Sequence, residues 1–250
     1  MMNVSAISDI GKVRDLNEDN YCVSEKGYLL FIVADGMGGH NAGEVASFIV
    51  VNTMKEHIHT YISDDMDEQS VKGIIYEAFH RANEKVYRYA EENPSCDGMG
   101  TTATLVLKVH STIYIGHVGD SRAYIIKEGI IEQITQDHSL VAELVRSGSI
   151  TELEAMKHPQ KNVITRALGT SKSIKPDIFS MEFFDNDILV MCTDGLSNFV
   201  DKYEIEKIVT EVEDSNEACE RLVSMANKRG GYDNITVLVA RNSERNTEGR

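Results

Sequence analysis

Tyr28 to Ala34 (YLLFIVA) is a continuous apolar run that ends abruptly on Asp35-Gly36. With no polar alternation, the run reads as a strand buried on both faces, which places it inside a layered fold. The same motif recurs. Thr112 to His117 leads through Val118-Gly119 to Asp120, and Asp187 to Thr193 leads to Asp194-Gly195. Asp233-Asn234 opens the run Asn234 to Ala240 (NITVLVA). A carboxylate at the end of a buried strand is partly desolvated, so it must be paired or must bind a cation. A neighbouring glycine lets backbone come close and offers its carbonyl as a further oxygen ligand. Carboxylate and carbonyl oxygens are hard ligands that suit Mg²⁺ or Mn²⁺, whereas zinc favours His and Cys. One Asp-Gly alone is ordinarily a turn. Four such aspartates at the edges of the strongest strands point to a site.

The rest of the chain supplies the layers. Further strand signals fall at Val4 to Ser8, Tyr21 to Ser24, Thr101 to Val109, Arg122 to Lys127 and Ile130 to Ile134, the last two joined by the hairpin signal Glu128-Gly129. Thr101 to Val109 puts Ala103, Leu105, Leu107 and Val109 on one face. Helical spacing links Val71, Ile75, Phe79, Ala82 and Val86 in a segment that ends before Pro94. Val45, Phe48 and Ile49 mark an earlier helix. Leu140 to Val145, a Thr151/Glu154 capping box, Ile205 to Val212 and Ala218 to Ala226 mark later ones. Strands and helices do not alternate regularly. The expected class is therefore α+β, with mostly antiparallel sheets and helices packed outside.

At 250 residues, with three prolines and no linker or repeat, the chain is expected to form a single domain over 1–241. Residues 242–250 lack apolar side chains and read as a frayed tail, and the acidic run 64–68 reads as a solvated loop. The net charge of −15 argues against a nucleic-acid partner or an anionic membrane surface. No apolar run approaches a membrane span and no signal-peptide pattern opens the chain, so a cytoplasmic location is expected. Four scattered cysteines indicate neither a disulfide framework nor a thiolate metal site. Cys22 and Cys192 read as small core residues.

Arg14 stands in the acidic segment RDLNEDN, where a guanidinium could grip phosphate through two parallel hydrogen bonds. Glu18 and Asp19 could orient waters around a metal. The segments RDLNEDN, VADGMGGHNAGE, GMGTTAT, IGHVGDSRAY, QDHSL, VITRALG, CTDGLSNFV and GGYDNITVLV resemble, in order, the protein phosphatase 2C family of metal-dependent serine/threonine phosphatases, most closely its compact bacterial branch. That resemblance implies a four-layer α-β-β-α sandwich with a metal cluster at one end. It implies that Asp35 bridges two Mn²⁺ or Mg²⁺ ions and that Gly36 contributes its carbonyl. Asp194 and Asp233 match ligands of the first metal, and Asp120 helps hold a third. Arg14 matches the phosphate-binding arginine, and Asn234 lies beside the ligands with Glu18 and Asp19. Residues 139–169 match the flap beside the active site. The partners implied are phosphoprotein substrates and an opposing serine/threonine kinase, with the enzyme working as a monomer.

Many eukaryotic members place a histidine, assigned as general acid, where this chain has Met37. No side-chain general acid is therefore assigned. His40 is read as near the site or as a structural part of its loop, His117 as a hydrogen-bonded core residue, and His138 and His158 as turn-stabilising residues bracketing the flap. A helix begins after GMGGH, so its N-terminus could bind phosphate. The loop has no Gly-Lys-Ser/Thr, which argues against nucleotide binding. Two rival readings are a catalytically inactive phosphoprotein- or metal-binding sensor, and a phosphatase acting on small phosphoesters or on a transcription-factor regulator.

Overall fold

The computed structural model describes residues 2–25, 27–38 and 42–242. Elements are numbered in chain order. One sheet runs β1 (Met2–Asp9), β11 (Ile235–Asn242), β10 (Ile188–Cys192), β7 (Arg122–Lys127), β8 (Ile130–Gln133) in space. The other runs β2 (Asp19–Ser24), β3 (Leu29–Met37), β5 (Ala103–Val109), β6 (Thr112–Val118), β9 (Asp177–Glu182), with the short β4 (Gly100–Thr101) on the end of β3. Every pairing within these sheets is antiparallel. Helices α1 (Ala42–Tyr61) and α2 (Glu68–Glu92) cover the β3 sheet, and α6 (Lys202–Glu211) and α7 (Ser215–Lys228) cover the β11 sheet. The expected four-layer α-β-β-α sandwich is the observed architecture.

Period-two alternation explains the double-sided strands. From β3, Leu30, Ile32 and Ala34 face α1 and α2, while Phe31 and Val33 enter the core between the sheets. From β10, Val190 and Cys192 face α6 and α7, while Leu189 and Met191 meet Phe31 and Val33 in that inter-sheet core. Ala103, Leu105, Leu107 and Val109 share the α1/α2 face as the spacing predicts. Glu128 and Gly129 both have positive φ (50° and 77°), which matches the twist of a tight hairpin. Thr151 and Glu154 form the expected capping box of the short helix α4 (Glu152–Met156), which follows α3 (Leu140–Arg146) between β8 and β9.

Four details depart from the sequence reading. Phe48 is 59% exposed, because α1 buries Ala46, Ser47, Val50 and Met54 and uses its small residues to approach β3. The acidic run is not wholly a solvated loop. Asp67 caps α2 by accepting from Ser70 N–H at 2.7 Å, and Glu68 bonds Lys72 and Ser180. Asn242, read as the first residue of the tail, belongs to β11 and pairs with Met2; the rest of that stretch, 243–250, lies outside the described residues. The edge strand β9 carries no strong apolar signal and is absent from the sequence reading. Among the described residues, no helix is long and apolar enough to cross a membrane.

Candidate active site

Four strand ends and one inter-sheet crossing converge at one end of the sandwich. Asp35 sits near the end of β3, directly across from Asp19 at the start of β2. The connection Gly119-Asp120-Ser121 crosses from β6 in one sheet to β7 in the other. Asp194 begins α5 (Asp194–Ser197) just after β10, and Asp233 lies just before β11. The sheets therefore bring together residues up to about 200 positions apart in sequence, a distance the chain closes through long-range antiparallel pairing.

Glycine is required where these segments touch. A Cβ on Gly36 would lie 2.1 Å from the Gly43 carbonyl oxygen and 2.6 Å from that of Glu18. A Cβ on Gly195 would lie 1.9 Å from the Asn234 carbonyl oxygen. Both glycines permit backbone contact that any side chain would block.

Hydroxyl groups support the acids from behind. Thr102 Oγ1 accepts from Asp35 N–H at 2.9 Å and bonds Ser121 Oγ at 2.7 Å. Thr101 Oγ1 donates to the Asp35 carbonyl at 2.8 Å. Asp19 Oδ2 accepts from Thr193 Oγ1 at 2.8 Å and from Thr236 Oγ1 at 2.7 Å. These threonines were not singled out from the sequence. Their signal is a hydroxyl at positions where the surrounding strand is otherwise apolar. Arg122 forms a two-pronged pair with Asp137, Nε and Nη2 lying 3.1 and 2.7 Å from Oδ2. Its charge also opposes the upward shifts of Asp120 and Asp194.

Burial and mutual repulsion dominate the electrostatics. Desolvation, then the charges of Asp19, Asp194, Asp120 and Asp233, push the Asp35 carboxyl well above its ordinary range. Burial likewise pushes Asp19 up to about 7, against the pull of its two threonines. Burial and then Asp194 push Asp120 up to about 7. Asp194 is raised by burial and by Asp233, while hydrogen bonds involving Asp35 and Asn198 oppose the rise. Asp19 Oδ1 and Asp120 Oδ1 are buried and have no hydrogen-bond partner among the described residues. Like charges directly opposite in a sheet destabilise it, as at the Asp19–Asp35 pair. This is a donor set short of positive charge.

Among the described residues, no three His, Cys, Asp or Glu side chains already converge as a ready-made ligand set. Hard divalent cations do not demand one. Mg²⁺ is commonly held by one or two carboxylates and keeps several waters. The orphaned oxygens, the raised carboxyls and the tightly packed Gly36 backbone fit such ions.

The remaining predicted residues fall nearby with distinct tasks. Arg14 is half-exposed, and its Nη2 lies 2.9 Å from the Asp233 carboxylate. Glu18 Oε1 accepts from Gly43 N–H at 3.2 Å, so a carboxylate of this chain occupies a donor at the N-terminus of α1. That donor is one on which a bound phosphate would otherwise rely. Asn234 spends its amide on backbone: Nδ2 donates to the Ile10 and Leu16 carbonyls, and Oδ1 accepts from Glu18 N–H, each at 2.9 Å. It pins the loop that carries Arg14 and Glu18. His117 is a fully buried, hydrogen-bonded core residue, and His158 accepts from Gln160 N–H within its turn. Met37 pairs with Gly100 across β4. His40 lies outside the described residues.

Fold and site together describe a class: a double-sheet sandwich that gathers buried carboxylates and the guanidinium groups of Arg14 and Arg122 at a single end, an arrangement suited to hard-metal phosphoester chemistry. Comparison with known proteins names it. The model of the family described as Protein phosphatase 2C matches residues 14–235, and the chain belongs to that family. It is 37% identical over 240 residues to the serine/threonine phosphatase stp of Listeria monocytogenes, covering 95% of each chain. The crystal structure of serine/threonine phosphatase Stp1 from Staphylococcus aureus superposes with a TM-score of 0.90 at 35% identity, covering 98% of this chain and 96% of that one. The catalytic domain of the serine threonine protein phosphatase PstP, solved in complex with 2 manganese ions, superposes with a TM-score of 0.86 at 34% identity, covering 97% and 99%.

Proposed function

We infer that this chain is a metal-dependent protein serine/threonine phosphatase. The observation that carries the mechanism is the cluster of Asp19, Asp35, Asp120 and Asp194, buried together with raised carboxyls and two orphaned oxygens. Within this reading Asp35, Asp194, Asp233 and the Gly36 carbonyl would hold two divalent cations, and Asp120 would help hold a third. Mn²⁺ or Mg²⁺ suits the all-oxygen donors. When bound, such cations supply Lewis-acid polarisation of phosphoryl oxygen and a water acidified enough to attack phosphorus near neutral pH.

The chain's own residues do the rest. Arg14 turns its guanidinium to the phosphate and offsets charge that builds on the equatorial oxygens as the ester bond breaks. Glu18 and Asp19 accept hydrogen bonds from waters around the cations, with Asp19 Oδ1 free for that task because the threonines take Oδ2. Met37 carries no proton to give, so the departing serine or threonine oxygen takes its proton from water or from another group. The catalytic unit is residues 1–241, with 139–169 as its flap. The partners are phosphoserine and phosphothreonine proteins and a kinase that phosphorylates them. The enzyme acts in the cytoplasm as a monomer. The names of the relatives support the assignment of phosphoserine and phosphothreonine substrates.

Asp35→Ala and Asp233→Ala are expected to abolish Mn²⁺-dependent hydrolysis of a phosphothreonine peptide while the circular dichroism spectrum is kept. Full rates in either folded variant would overturn the site. A panel of phosphopeptides beside small phosphoesters separates a protein phosphatase from a small-molecule one.

A further inference from the structure

The flap segment leaves and re-enters the sandwich at adjacent points. Leu140 N–H donates to the Val163 carbonyl at 2.9 Å, and Thr165 N–H donates to the His138 carbonyl at 2.8 Å. One carboxylate outside the cluster holds both feet. Asp177, on β9, places Oδ2 3.0 Å from His138 Nε2 and Oδ1 2.8 Å from Arg166 Nη1. His138 itself is 2% exposed, so water does not compete for its ring.

The other ring nitrogen reaches the site. His138 Nδ1 accepts from Gly119 N–H at 3.0 Å, and His138 N–H donates to the Gly119 carbonyl at 2.8 Å. A ring nitrogen that accepts from a backbone amide carries no hydrogen, so Nε2–H is the donor to Asp177. The flap feet are thus tied, through one imidazole of fixed tautomer, to the residue adjoining Asp120. Asp120 in turn has a buried Oδ1 without a partner among the described residues. Ser121, on its other side, is tied to Thr102 and so to the Asp35 backbone.

We propose that His138 is a positioning residue, which through its clasp on Gly119 fixes the Asp120 carboxylate and so sets the affinity of the cation that Asp120 holds, linking that cation to the flap. The proposal rests on the metal-site reading above. Groups that support a metal from behind its ligands change affinity on removal by roughly 10–100-fold, which sets the scale expected here.

The test is Mn²⁺ binding to the full chain, read by the electron paramagnetic resonance of free Mn²⁺ and by calorimetry. Asp120→Asn identifies the binding step that depends on Asp120. His138→Gln keeps a donor toward Asp177 but removes the acceptor for Gly119, whereas His138→Asn keeps the acceptor. The Gln variant is expected to weaken the Asp120-dependent step about tenfold, leaving other Mn²⁺ ions in place, and the Asn variant to stay within about threefold of the unaltered chain. Amide exchange of Gly119 in chelator-treated protein is expected to quicken in the Gln variant only. Unchanged binding in His138→Gln, or equal weakening of every ion in both variants, would overturn the proposal. Failure of the metal-site reading shows differently: the unaltered chain binds no Mn²⁺, or Asp120→Asn changes nothing, and both ideas then fall.

Discussion

Asp19→Asn is expected to make the cation-stripped protein more stable while impairing it as an enzyme. Asp19 is buried, its carboxyl is pushed up to about 7 against an ordinary 3.8, and burial is the leading cause. For an acid with a raised folded value, the penalty is absent below the ordinary value, where both folded and unfolded states are protonated. It grows as pH rises through the window from 3.8 to about 7, and is complete above it. At about 1.4 kcal/mol per pH unit, the cost is roughly 1.5 kcal/mol at pH 5 and about 4 kcal/mol at pH 8. Asparagine carries no charge, and its carbonyl oxygen can still accept from Thr193 and Thr236. The stabilisation by the variant should therefore grow by about 2.5 kcal/mol between pH 5 and pH 8, a Tm difference of roughly 5–10 °C for a chain of this size. The assay is thermal and urea unfolding of chelator-treated protein across that range. Saturating Mn²⁺ should narrow the gap at pH 8, because the cation stabilises the natural carboxylates. Parallel stability–pH curves for the two proteins, or a variant less stable at pH 8, would refute the argument.

Two further outcomes follow from the same geometry. Gly36→Ala should cost about 1–3 kcal/mol in urea unfolding and remove Mn²⁺-dependent hydrolysis, because its Cβ would meet the Gly43 carbonyl oxygen at 2.1 Å and push the backbone aside. His117, held down to about 4 by burial and then by the nearby His138, should show flat imidazole NMR shifts from pH 8 to pH 5. A buried neutral histidine contributes stability above its ordinary 6.5 that is lost as pH falls through about 4, here about 3 kcal/mol, and a midpoint near 6.5 would contradict its burial.

The double-sided strands were legible because both neighbouring layers leave a chemical mark. Leu30, Ile32 and Ala34 answer to one core, Phe31 and Val33 to another, so no polar residue interrupts. The aspartates were legible because each breaks such a run. Asp19 as part of a strand was not, since a polar residue at a strand's first position looks like loop. Nor was the burying face of α1, where Ala46 and Ser47 make the contact and the large Phe48 faces solvent. Edge strand β9 is half-buried from Asp177 to Met181 and exposed at Glu182, so it has no strong apolar run to read. Thr102, Thr193 and Thr236 escaped because hydroxyls fit strands anyway, and only three-dimensional pairing reveals which acid each one serves.

Asp19 and Asp35 hang from one sheet, Asp194 and Asp233 from the other, and the greasy filling between them holds Phe31 and Val33 against Leu189 and Met191. The gap between these acids is thus a gauge of how the two slabs are seated. A methyl group added or lost midway down the sandwich reaches the chemistry as a change of spacing at its rim. Ions clasped there would act as rivets across the seam, so the tightness of their grip and the fit of the oily interior are a single quantity measured at two ends.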